Sequence, residues 1–347
     1  MFRTVALWQS HTLSSTSGGE AQVSGTLAMF NLERDIKQAG MGFGRATPPF
    51  MGCNLTVNDT ASARVFTRPM YPVRIVPGAG GAPDEIDVLY GNSSFYVDEQ
   101  TLKFSTGTTK TAARRGGFRR GDLVVVAGNE TGAPASATCE LIEVTDDTDP
   151  DNLTITHGTG NYFSFYNTAA SGVARFNPAG GTGATYSSGR MYSLGPTPQY
   201  DVWQINAGGV LAHSDLIHNQ APVSVAERVV NLKAEYGIDT NGDLRPDTWT
   251  TVPPADWTTV LAIRTAILVR SKQFERTTDP NFATPLGVTP DAKNPQWAGG
   301  AFVMTNVDGS ADTFSDIQDD PNNWRFYRYR VYERVIPLRN MIWGTAP

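Results

Sequence analysis

"EAQVSGTLAMFNLERDIKQAG", residues 20–40, is the stretch in which apolar residues recur most clearly at helical spacing. Ala21, Ala28, Leu32, Ile36 and Ala39 follow one another at seven, four, four and three, which lines them along one face of a helix. Val23, Leu27 and Phe30 widen the stripe, and Glu33, Arg34, Asp35, Lys37 and Gln38 fall largely outside it. Such a helix has one face to bury and needs a surface to bury it on. Gly40, Gly42 and Gly44 supply its stop, and the prolines of "TPPFMGC" (47–53) begin a loop that no helix continues through. The Ser/Thr/Gly-rich residues 14–19 are expected to interrupt the helix on its other side.

Beyond residue 44 the signal changes to short β-rich runs between turn residues. Expected strands are "ARVFTR" (63–68), "VRIVP" (73–77), "EIDVLYG" (85–91), "SFYVD" (94–98), "DLVVVAG" (122–128), "CELIEVT" (139–145), "NLTITH" (152–157) and "DVWQI" (201–205). Residues 158–200, rich in Gly, Ser, Thr and Asn, read as long loops around one or two weak strands. In "PVSVAERVVNLKAEYGID" (222–239) the first half fits a helical turn and the second half alternates as a strand. "VLAIRTAILVRS" (260–271) is β-rich and mostly apolar, as a strand covered on both faces should be, with Arg264 and Arg270 as its polar interruptions. "RFYRYRVYERVIP" (325–337) alternates Tyr327, Tyr329 and Val331 with Arg328, Arg330 and Tyr332. That pattern fits cross-strand pairing on a half-solvated antiparallel sheet.

The surface beneath the helix is therefore β-structure. With 347 residues, 40% of them hydrophobic, the chain is long enough for a large core, and disorder throughout is excluded. A formal net charge of −6 argues against nucleic acid as the main partner. The basic cluster "RRGGFRRGD" (114–122) reads as a turn leading into a strand. The longest apolar run near the start, Val5–Trp8, is far short of the roughly 20 residues that span a bilayer.

"DTNGDLRPD" (239–247) carries the sharpest site signal. Asp239, Asn241, Asp243 and Asp247 stand at positions one, three, five and nine of a calcium-loop pattern, in which hard oxygen ligands converge on one cation. The carbonyl of Arg245 supplies the main-chain ligand. Position six is Leu244 where such loops carry glycine, and position twelve is Thr250 rather than a bidentate glutamate. Two readings stand: a calcium-binding β-loop, and an Asp/Asn-rich turn that meets the same composition without metal. Cys53 and Cys139 lie outside any CxxC or Cys/His metal spacing. In an oxidising compartment they pair, closing a loop worth roughly 3–5 kcal/mol; otherwise they are two buried thiols.

Catalysis has little support. His11, His157, His213 and His218 lack ligand spacing and read as surface or loop residues, and "HSD" (213–215) does not make a triad. "GAGGAP" (78–83) and "GGTG" (180–183) lack the lysine and hydroxyl residue of a phosphate-binding loop. The acid-rich "QDDPNN" (318–323) reads as a loop.

Three segments together resemble the PilW family of type IV pilus minor pilins: "LERDIKQAGMGFG" (32–44), "VVNLKAEYGIDTNGD" with "DWTTVLAIRTAILVRS", and the terminal "YRVYERVIPLRNMIWG". The middle of the chain, 45–200, resembles it only loosely. The resemblance implies an α+β, pilin-like fold in which an N-terminal helical segment (1–44) packs on a large antiparallel β-sheet headgroup with long loops (45–347). In it, "PLRNMIW" tucks an apolar tail against the body. It also implies no catalysis. The expected partners are other minor and major pilins and a large pilus-tip adhesin, in an initiation or tip complex. A leader, a processing site and an apolar span belong to such proteins, and none precedes Phe2. The resemblance thus implies that the sequence begins after the membrane half of the helix, with the full-length protein at the periplasmic face of the inner membrane and in the pilus. The alternative class is a calcium-dependent exported binding module or adhesin; a secreted hydrolase ranks third.

Overall fold

The computed structural model describes residues 2–46, 50–95, 99–114, 116–128, 138–149, 153–182, 185–273, 294–310 and 321–342, with the side chains of the first 18 residues left aside. Helix α1 runs Phe2–Gln38. It passes through 14–19 without a break, so the expected interruption does not occur: a Ser/Thr/Gly run weakens helix propensity but contains no proline to remove a ladder bond. A last short turn, α2, spans Arg339–Ile342.

Between them the chain is almost entirely strand. In order these are β1 (Asn54–Asp59), β2 (Arg64–Pro69), β3 (Val73–Val76), β4 (Glu85–Tyr90), β5 (Gln100–Ser105), β6 (Thr109–Ala112) and β7 (Leu123–Gly128). There follow β8 (Thr138–Glu143), β9 (Thr154–Thr156), β10 (Asn161–Ser164), β11 (Asn167–Val173), β12 (Gly189–Gly195), β13 (Gln199–Ile205) and β14 (Val210–Asp215). The last third holds β15 (Val223–Glu227), β16 (Val229–Ile238), β17 (Thr248–Thr250), β18 (Val260–Arg270), β19 (Gln296–Trp297), β20 (Gly300–Ala301) and β21 (Tyr329–Pro337).

One large sheet was expected; the strands form three, plus two hairpins. An eight-stranded sheet has the order β2-β1-β8-β7-β12-β5-β6-β9, a five-stranded sheet β15-β14-β13-β4-β3, and a four-stranded sheet β17-β16-β18-β21. Among the described pairings all are antiparallel except β1 with β8. The region 158–200 holds three strands, and β12 lies between β7 and β5 in the middle of the largest sheet. Its glycines and serines concealed it: Gly189 sits so close to the Ala127 carbonyl that any side chain would collide, 2.1 Å from an added Cβ. The helical turn expected before residue 229 is instead β15, joined to β16 through Arg228, whose φ of 60° makes the reversal. In "SFYVD", residues 96–98 lie outside the described residues, as does Trp343.

The central core joins α1 to the two smaller sheets. Ala21, Ala28, Leu32, Ile36 and Ala39 are all buried, together with Met29, against Leu232, Tyr236, Ile263, Ile267 and Trp203. Each fully buried aliphatic side chain of this kind contributes about 1.5–3 kcal/mol. Strand β18 is covered on both faces, since Ala266 and Leu268 pack on the opposite side against Phe302, Met304 and Trp324. The two sheets are fastened by the Ile75 amide, which donates to the Tyr236 hydroxyl at 2.6 Å, and by the Asp84 amide donating to the Leu232 carbonyl at 2.8 Å.

Candidate functional site

The last strand holds helix α1 near Gln22 and Gly25. The Tyr332 hydroxyl donates to the Gln22 carbonyl at 3.2 Å, and Arg330 Nη1 donates to Gln22 Oε1 at 3.3 Å. Gly25 leaves room for the Tyr332 ring, which an added Cβ would meet at 2.0 Å. The helix lies over Tyr332 on the Arg/Tyr face of β21, while Arg328, Arg330 and Arg334 stay exposed, so the face is half solvated, as the alternation suggests. The helix end is closed by the chain's own end. Asn340 Nδ2 donates to the carbonyls of Gln38 and Ala39, each at 3.0 Å, pairing two of the acceptors that every helix C-terminus leaves open. Leu338 and Met341 are buried beside it. The Gly40 amide then donates to the Leu89 carbonyl at 2.9 Å, which docks the turn onto β4.

The other flank of α1 corrects the expected stripe. Val23, Leu27 and Phe30 do not join the core; they are 68%, 46% and 63% exposed. Three large apolar side chains at spacings of four and three on one helix face form a surface that water solvates poorly. Asp35, expected largely outside the stripe, is buried all the same.

The loop 239–247 leaves β16 and returns to β17. Carboxylate oxygens of Asp239, Asp243 and Asp247 lie within 4.8 Å of one another. Asp239 accepts from the amides of Asn241 (3.1 Å), Gly242 (2.7 Å) and Leu244 (2.9 Å), bonds that hold its carboxyl below the usual range against the cost of burial. Asn241 accepts from the Asp243 amide at 2.9 Å and donates from Nδ2 to Asp247 at 3.0 Å, while the Arg245 amide donates to Asp243 at 2.9 Å. Leu244 takes φ 64°, the left-handed value that position six of a calcium loop requires. All five loop residues named from the sequence therefore share one tight turn.

Cys53 and Cys139 are joined, with Cα atoms 5.9 Å apart, although they stand 86 positions apart in sequence. The bridge ties the start of β1 to β8, where the two strands run parallel.

The expected surface or loop placement holds for His218, in the turn after β14, but not for His213, which is on a strand, nor for the exposure of His157. His157 is buried, and desolvation together with nearby Lys110 pushes its imidazole down to about 3. His213 lies on β14, beside Asp201, and His218 pairs with Asp215. The side chain of His11 lies outside the described residues. Residues 116–122 form a turn into β7, in which Arg120 pairs with Asp147 at 2.9 Å and Arg119 lies over Phe95 and Phe165. Asp201 and His213 were the residues the sequence reading missed. They are twelve residues apart, and the pairing of Trp203 with His213 across β13 and β14 brings them together.

Residues 212–340 match the model of the PilW family, Type IV Pilus-assembly protein W. No curated protein and no solved structure matched the chain. The matched span opens in β14, takes in β16, β18 and β21, and closes on Asn340, the residue that caps α1. It points to a role related to type IV pilus assembly.

Proposed function

We propose that this chain, a PilW-family protein by its match over residues 212–340, is a noncatalytic minor pilin that acts in initiating or tipping a type IV pilus. The observation that carries the reading is the two-sided helix. One face is buried on the family-matched sheet, and Val23, Leu27 and Phe30 stand exposed on another. A helix apolar on two flanks serves head and neighbour at once, and head-to-tail contacts of this sort build open filaments. Other minor and major pilins are the partners, with a tip adhesin beyond them, at the periplasmic face of the inner membrane and in the extracellular filament. No described helix is long and apolar enough to cross a membrane.

Calcium belongs to the same proposal. Asp239, Asn241, Asp243 and Asp247 with the Arg245 carbonyl would hold the ion, whose charge would offset three carboxylates crowded into one turn. In a calcium-dependent adhesin, the alternative, the loop would govern binding to an external surface.

The experiment is replacement of Val23, Leu27 and Phe30 by serine in the full-length protein in its own cells, followed by shearing of surface filaments and immunoblotting. A minor pilin gives folded variant protein, fewer filaments and loss of the protein from the sheared fraction. Unchanged filament number together with unchanged incorporation would contradict the proposal.

A further inference from the structure

Where the C-terminal part of α1 crosses the five-stranded sheet, three metal-ligating side chains converge in the interior. Asp35 projects from the helix, Asp201 from β13 and His213 from β14, and one ligand atom from each lies within 4.8 Å of the other two. We propose that these three residues bind a divalent transition ion of the zinc type, clamping the helix to the sheet.

Three observations carry this. First, Asp35 is 1% exposed, and its Oδ2 has no hydrogen-bond partner; its Oδ1 meets only the Arg34 guanidinium, at 3.4 Å. A buried carboxylate oxygen without a partner is costly, and a cation against it removes the cost. Second, His213 Nδ1 stands 3.4 Å from Asp201 Oδ1. That is long for a hydrogen bond, which is typically about 2.7–3.2 Å. It is close to the edge of a tetrahedral zinc site, where ligands about 2.0–2.1 Å from the metal stand about 3.4 Å from each other. Third, Asp201 has an outer hydrogen-bond partner and the His213 ring is held in place. The Tyr90 hydroxyl donates to Asp201 Oδ2 at 3.3 Å, and the His213 ring is stacked at 4.8 Å on buried Trp203.

The donor set selects the ion. Two carboxylates and one imidazole suit zinc and its first-row neighbours, whereas calcium and magnesium favour oxygen throughout. His213 is partly exposed and gives the ion a way in, with a fourth position left for water.

The test uses the full chain, stripped with a chelator and titrated with Zn²⁺ at pH 7.5 by calorimetry, with Co²⁺ as a spectroscopic probe. One equivalent is expected, with a rise in melting temperature and the visible bands of four-coordinate cobalt. Asp35→Asn and His213→Gln should each weaken binding at least tenfold. The His213 variant keeps the question open to measurement should the buried Asp35 variant fail to fold. Asp239→Asn, in the separate loop, should leave zinc binding as it was. Absence of binding would overturn the proposal. So would weak binding of several equivalents that survives His213→Gln, or binding lost only with Asp239→Asn.

Discussion

Gly25 is the residue on which the helix contact turns. In an exposed helix interior, alanine is favoured over glycine by about 1 kcal/mol. Here the Tyr332 ring occupies the space of the missing Cβ. Gly25→Ala should therefore destabilise the protein by about 1–3 kcal/mol, because the ring must leave its place and its bond to Gln22. In a Tyr332→Ala background the same change should stabilise by up to about 1 kcal/mol, and urea unfolding of the four proteins in the cycle reads the reversal of sign.

Asp59 offers a second test at this scale. Arg175 grips it with two hydrogen bonds, 2.8 and 2.7 Å, and holds its carboxyl down at about 2 despite burial. A carboxyl whose folded pKa lies below its unfolded value near 3.9 contributes stability that is fully present above about pH 4 and is lost as pH falls through 2. The contribution is on the order of 2 kcal/mol. Asp59→Asn should flatten the fall in urea midpoint between pH 4 and 2; an unchanged slope would place the acid sensitivity elsewhere.

Among the elements, α1 and α2 depend on each other although they lie at opposite ends of the sequence. Asn340→Ala removes both side-chain donors from the carboxyl end of α1, at a cost of about 1–2 kcal/mol. Hydrogen exchange should locate the loss in residues 33–42 and α2, leaving the eight-stranded sheet protected. The elements also differ in how plainly the sequence announced them. The period of Ala28, Leu32, Ile36 and Ala39 and the mostly apolar run of β18 were legible because burial on one face or on both leaves a simple pattern. Strand β12 was not, because a Gly/Ser-containing strand in mid-sheet is specified by its neighbours' approach rather than by its own composition. Nor could alternation in β21 say that α1 would lie over Tyr332. The loop 239–247 was legible as a turn rich in oxygen ligands. The group of Asp35, Asp201 and His213 was hidden, since strand register and helix docking assemble it from three places.

Across the whole molecule, the front and back of the chain are interlocked. Helix α1 and α2 meet at the sequence extremes, and Arg175 bonds the His218 carbonyl as well as Asp59, joining the β1 and β14 regions. The Cys53–Cys139 bridge adds a covalent tie. Closing a loop of this length contributes about 4 kcal/mol, so Cys53→Ser with Cys139→Ser should lower stability by roughly that amount in denaturant. Mass measurement of the native protein after alkylation, with and without reductant, should show both thiols blocked until reduction. The loop proposed for calcium should give a higher melting temperature in calcium than in chelator, and Asp243→Ala should abolish the difference. Equal melting with and without the ion would remove calcium from the account.

All of this depends on residues 20–38 forming part of the folded core rather than an arm beside it. Native-state hydrogen exchange of the amides of Leu32 and Ile36, compared with those of Ile263 and Ile267 in β18, measures that directly. The account predicts that both sets open with the same free energy, that of global unfolding. Exchange of the helix amides at a far lower free energy, with β18 still protected, would contradict it.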